Sequence, residues 1–143
     1  MVDDELKAMQ RMTADMQKWT LKSIESVPAK GQTVAIEVAD GQSVTSWFHP
    51  SSQASAPVLF EVHGGGFVLG DARKEDALCE WIRDSFDVNV VGVNYRLAPE
   101  HSFPVQLNDV VETVKYYVCH AAEYGIDPGS VYFMGYSAGA ALS

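Results

Sequence analysis

Two cysteines, Cys79 and Cys119, are all that 143 residues contain. That is too few for a disulfide framework, and neither has the CxxC or Cys/His spacing that would hold a metal. Both are expected as small buried fillers in a reducing compartment. Basic residues are also scarce. Ten Lys and Arg against nineteen Asp and Glu leave a net charge of −9, which disfavours nucleic acid and anionic membrane surfaces as partners. No apolar run approaches the length of a membrane span, and Met1-Val-Asp-Asp-Glu5 is acidic where a secretory leader would be basic. A soluble cytoplasmic protein is the expectation. Internal repeats, low-complexity tracts and an interdomain linker are absent, and 47% hydrophobic with 20% charged residues is ordinary globular composition.

What the chain does contain is a strand-and-helix grammar. Leu6, Met9, Met12, Met16 and Trp19 recur at three- and four-residue steps, so Asp3 to about Ser26 is expected as an amphipathic helix. Its methionine-rich stripe is expected in the core or as a lid over a pocket, with core packing favoured over a specific ligand role. Pro28 and Gly31 end it. Val34, Ile36 and Val38 alternate over Gln32–Ala39, Asp40-Gly41 marks a hairpin, and Ser43–His49 returns. Pro57–Val62 is apolar enough for a strand buried on both faces. A helix at about Arg73–Phe86, a strand at Asp87–Val93 and a helix at Gln106–Tyr124 follow. An antiparallel start and a parallel, helix-alternating remainder make an α/β fold. Residues 1–30 form a separate helical segment beside a core of residues 31–143.

Chemistry concentrates in two glycine-rich turns. Val131-Tyr-Phe-Met134 reads as a buried strand that enters Gly135-Tyr-Ser-Ala-Gly139, and Ala138–Leu142 then begins a helix. Strand, sharp turn and helix around a serine are the setting of a nucleophile elbow, in which Ser137 is exposed on strained backbone. Taken alone, the five-residue pattern equally describes a plain Gly/Ser/Ala turn. The second turn is His63-Gly-Gly-Gly-Phe67. Each glycine costs backbone entropy, so close approach or special conformation is what it supplies. The amides of Gly65 and Gly66, with that of Ala138, are candidate donors to an oxyanion formed at Ser137. A flexible loop is the alternative.

Together with Tyr95-Arg-Leu-Ala-Pro-Glu-His101, Phe103-Pro104 and the Asp127-Pro128 turn, these motifs give the chain its family likeness. From about residue 30 onward it resembles the hormone-sensitive-lipase-like esterases of the α/β-hydrolase fold, the microbial acetyl-esterase and carboxylesterase group. The resemblance implies Ser137 as nucleophile, Gly65, Gly66 and Ala138 as the oxyanion hole, and His63 with Gly64 as loop-shaping residues. It further implies short-chain ester substrates and neither metal nor cofactor.

Two departures stand out. The family's elbow usually reads Gly-Asp-Ser-Ala-Gly-Gly, whereas Tyr136 and Ala140 occupy the second and last places here. An acid and a histidine also follow the serine in such enzymes, whereas Ser143 lies about one helical turn beyond it. The chain is therefore expected to be the N-terminal part of the fold, feebly active at best, with an inactive partner-binding module or half of a split enzyme as alternatives. His63, His101 and His120 are poor substitutes for the missing base. Asp109 and Arg96 are expected to form an ion pair that pins the Tyr95–Pro104 loop. His49, beside a turn, is expected at the surface or as a hydrogen-bonded structural residue. An unpaired serine strand would expose an apolar edge and invite self-association, an expectation that a monomer in the ultracentrifuge would exclude.

Overall fold

β-Branched and aromatic runs punctuated by turn residues build the sheet, as the computed structural model of the chain shows for its described residues, 2–25 and 28–143. Helix α1 (Val2–Glu25) precedes strands β1 (Gln32–Glu37), β2 (Ser43–His49) and β3 (Ala56–Val62). A 3-10 turn (Ala72–Glu75) leads into α2 (Asp76–Phe86), and β4 (Asn89–Asn94), α3 (Val105–Cys119), β5 (Ile126–Gly135) and α4 (Ala138–Leu142) complete the order. Ser26, the expected end of the first helix, lies outside the described residues.

The five strands lie in the order β1-β2-β4-β3-β5. Strands β1, β2 and β4 pair antiparallel, whereas β3 pairs parallel with both β4 and β5. This is the antiparallel start and parallel remainder that the strand spacing implies. Side-chain alternation along β3 divides the core. Val58, Phe60 and Val62 join Val110 and Tyr117 of α3 and Leu142 of α4 on one face. Leu59 turns toward Cys79 and Ile82 of α2 on the other. Helices thus cover both faces, and the C-terminal ends of β3 and β5 emerge side by side, Val62 opposite Gly135.

Several expectations need correction. The stripe of α1 does not enter the core: Leu6, Met9, Met12, Met16 and Trp19 are all exposed, and among the described residues Thr20 and Ile24 are the ones of this helix that are buried. Cys79 is a buried filler, but Cys119 is exposed. Helix α3 stops at Cys119 rather than Tyr124, where the His120 ring Nδ1 lies 2.7 Å from the carbonyl of Tyr116. Tyr124 still packs on Phe48 and Tyr117, with ring centroids 5.0 and 4.7 Å apart. Its place in the apolar pattern is a packing signal, not a helical one. Strand β5 begins five residues before the expected Val131, and the Asp127-Pro128-Gly129 turn is absorbed as a register irregularity opposite Ala56 and Val58.

The expected ion pair is present. Arg96 donates to both carboxylate oxygens of Asp109, Nε to Oδ2 at 2.9 Å and Nη2 to Oδ1 at 2.7 Å, and its Nη1 reaches Asp40 in the hairpin at 2.6 Å. His49 is buried, with Nε2 2.9 Å from Asp76 Oδ1. Asp76 also accepts from the backbone amides of Lys30 and Gly31, so one carboxylate ties the chain after α1 to α2.

Candidate active site

The serine turn is dictated by how closely backbone must pass backbone. After β5, the chain reverses at Ser137, whose φ of 54° and ψ of −122° are costly for a residue with a Cβ. The turn then presses against the end of β3. A Cβ on Gly139 would stand 1.9 Å from the carbonyl oxygen of Val62, so only glycine fits. Ser137 is exposed, while Ala138 and Gly139 behind it are buried. Ala138 opens α4, so its amide has no intrahelical partner.

The loop after β3 is equally constrained. Gly65 has φ 129°, and a Cβ there would lie 1.9 Å from the carbonyl oxygen of Leu69. Gly66 and Phe67 follow with φ 63° and 65°. The carbonyl of Gly65 accepts from the amides of Leu69 at 2.9 Å and Val68 at 3.2 Å, which closes the loop on itself. His63 fixes its base. The ring is buried, its Nδ1 lies 2.8 Å from the Gly64 carbonyl, and it stacks on Tyr95 with centroids 4.2 Å apart. The Tyr95 hydroxyl donates to the carbonyl of His63 at 2.8 Å. Burial holds the imidazole below its ordinary pKa and therefore neutral.

The two turns meet at Tyr136. A Cβ on Gly64 would lie 2.7 Å from the Tyr136 ring, so the ring lies directly against Gly64. Its hydroxyl donates to Glu75 Oε1 at 2.6 Å, and burial together with that bond pushes the phenol up to about 12. Tyr136, Glu75, His63, Gly64 and Gly65 line a cavity of about 930 Å³, roofed by Met12, Met16 and Trp19 of α1. Gly66 and Phe67 line a second cavity of about 460 Å³ with Leu107 and Leu142. Ser137 lines neither. It stands on the solvent side of the turn, while Tyr136 before it and Ala141 after it face one cavity each.

Other histidines are engaged elsewhere, His49 at Asp76 and His120 at Tyr116. His101 borders a separate cleft beside Arg96 and Glu100. Asp109, fully buried against Arg96, is a structural anion. Among the described residues no cluster of His, Cys, Asp or Glu assembles to hold a metal.

Residues 59–143 match the family model described as alpha/beta hydrolase fold. The chain belongs to that family. This hydrolase-fold chain is 32% identical over 145 residues to the esterase LipI of Mycobacterium tuberculosis, covering 99% of itself and 44% of that relative. Over a shorter stretch of 89 residues it is 40% identical to the arylacetamide deacetylase of Bos taurus, covering 59% of itself and 22% of that protein. Among solved structures, a bacterial heroin esterase superposes with a TM-score of 0.77 at 32% identity, over 93% of this chain and 44% of that one. The thermophilic carboxylesterase EstE1 from a metagenomic library gives 0.78 at 33% identity, over 93% and 46%. These relatives put the α/β-hydrolase chain in the hormone-sensitive-lipase-like carboxylesterase family. It spans less than half the length of the curated relatives it matches. No helix among the described residues is long and apolar enough to cross a membrane.

Sequence reasoning missed Tyr136–Glu75, Tyr95–His63 and one buried acid. Glu61 on β3 is fully buried, and neither carboxylate oxygen has a hydrogen-bond partner among the described residues. Burial, reinforced by the Glu75 charge, pushes it up to about 8. Its signal was available, as a single charge inside an otherwise apolar strand.

Proposed function

We propose that Ser137 is the nucleophile of a carboxylic-ester hydrolase acting on short-chain acyl esters, with the amides of Gly65, Gly66 and Ala138 receiving the oxyanion. One observation carries this reading: an exposed serine on a strained turn, packed by Tyr136 and Gly139 onto the base of a loop with three successive positive φ values. Strain of this kind persists where function uses it. In the proposed reaction Ser137 Oγ attacks the ester carbonyl, and the carbonyl oxygen takes the negative charge. Collapse expels the alcohol and leaves an acyl-serine, which water hydrolyses to free acid. The serine proton requires a base, and no histidine among the described residues is hydrogen-bonded to Ser137. In this fold the acid and histidine follow the serine, and the length of the relatives beyond the matched part supports placing them there. No cofactor or metal enters the scheme.

The test is hydrolysis of p-nitrophenyl acetate by the chain of 143 residues and its Gly65→Ala and Ser137→Ala variants. Slow turnover is expected, roughly a thousandfold above water from the oxyanion donors and binding alone when triad members are missing, and Gly65→Ala should reduce it. Turnover no faster than buffer, or unchanged by Gly65→Ala, would overturn the oxyanion assignment. Robust turnover that Ser137→Ala abolishes would instead reveal a base within the chain.

A second reading has its own observation. Among the described residues strand β5 is paired on one side only, and Tyr132 and Phe133 are exposed along it. Such an edge favours pairing with a further strand, from a second copy or another segment. Sedimentation of the chain as a concentration-independent monomer would count against a second copy.

A further inference from the structure

Gln17 stands half-buried on α1 and reaches two loops at once. Its Nε2 donates to the carbonyl of Val68 at 2.9 Å and to the carbonyl of Ala98 at 3.1 Å, with a longer approach of 3.4 Å to the Glu100 carboxylate. A side-chain amide has two N–H donors, so the two carbonyls account for both. Val68 belongs to the glycine loop after β3, and Ala98 to the loop after β4. Those loops already touch where the Ala98 amide donates to the Phe67 carbonyl at 2.9 Å. Between them lies Phe67, a non-glycine residue held at φ 65° directly after Gly65 and Gly66. A residue in that region costs about 1–3 kcal/mol and keeps its conformation only when its surroundings over-determine it.

The geometry points to Gln17 as a positioning residue: its amide clamps both sides of the strained Phe67 turn and so couples the N-terminal helix to the loop that presents Gly65 and Gly66. The apolar stripe of α1 is exposed, and among the described residues Thr20 and Ile24 are its buried side chains. Displacing α1 therefore frees the loop, and seating α1 sets it. Any catalytic consequence rests on reading Gly65 and Gly66 as oxyanion donors, whereas the coupling itself does not.

The experiment is hydrogen exchange on the full chain with Gln17→Glu, which keeps the shape and removes the donors, and with Gln17→Met, which removes all polarity. In both, the amides of Val68, Leu69 and Ala98 should exchange about tenfold faster, as expected for losing two hydrogen bonds of ordinary strength. Amides of β3 and β4 should be unchanged. Unchanged exchange at those three amides in both variants would overturn the clamp. Acceleration spread evenly through the sheet would also overturn it, as a plain loss of stability. In parallel, the rate at which a fluorophosphonate labels Ser137 should fall in Gln17→Glu. If the parent chain does not label at Ser137, the active-site reading fails while the exchange result still decides the clamp.

Discussion

Two apolar stretches of this chain meet opposite fates. On β3, Val58, Phe60 and Val62 are sealed between the sheet and α3, each with no exposed surface. On α1, Met12 and Trp19 keep 59% and 71% of theirs. Both stretches have the periodicity of a buried face. What separates them is what they meet: β3 has a strand on either side and helices above and below, whereas α1 roofs a cavity of about 930 Å³. Periodicity identifies a face that prefers to leave water. It does not say whether protein or ligand covers it.

That contrast can be broken by substitution. Phe60→Ala should cost about 3–5 kcal/mol, because it empties a site that neighbouring strands cannot close. Urea denaturation measures it, and a loss under about 1 kcal/mol would mean that β3 is not the centre of the core.

Next in size is the acid within the same strand. Glu61 holds its proton to about 8 in the folded chain, against an ordinary value of 4.5. The folded state therefore binds more protons than the unfolded state across that window. Stability from this group is full below about 4.5, falls as pH rises toward about 8, and is lost above it. Glu61→Gln should remove the slope and stabilise the chain by about 2–4 kcal/mol at pH 8 while changing little at pH 4.5. A parent whose stability shows no such fall, or a variant less stable at pH 8, would contradict the burial of an unpartnered acid.

The smallest effect belongs to the roof. Met12→Ala should shift global stability by less than about 0.5 kcal/mol, since the side chain is already in water. A loss as large as that of Phe60→Ala would show that α1 packs more tightly than its exposure indicates.

Much of this was legible in the residues, for local reasons. β-Branched runs and Asp40-Gly41 specify strands and a hairpin without long-range information, and the glycines of both turns announced close backbone approach. The Arg96–Asp109 pair was legible as well, because a charged residue in the polar loop after β4 faces an acid on the helix that follows. Contacts that depend on how distant segments dock were not. Gln17 bridges partners 51 and 81 residues away, and Tyr136 meets Glu75 across 61. No spacing rule encodes either. Core and lid could not be told apart for the stripe of α1 for the same reason, and the false extension of α3 arose because Tyr124 packs with the aromatic cluster after the helix has ended.

The central claim is that Ser137 is the reactive hydroxyl of the chain, and mass-spectrometric mapping of a fluorophosphonate adduct tests it most directly. The account predicts an adduct at Ser137, formed slowly because no base among the described residues is hydrogen-bonded to it, that disappears in Ser137→Ala and slows further in Gly65→Ala. An adduct at another residue, or labelling indifferent to Ser137→Ala, would contradict it.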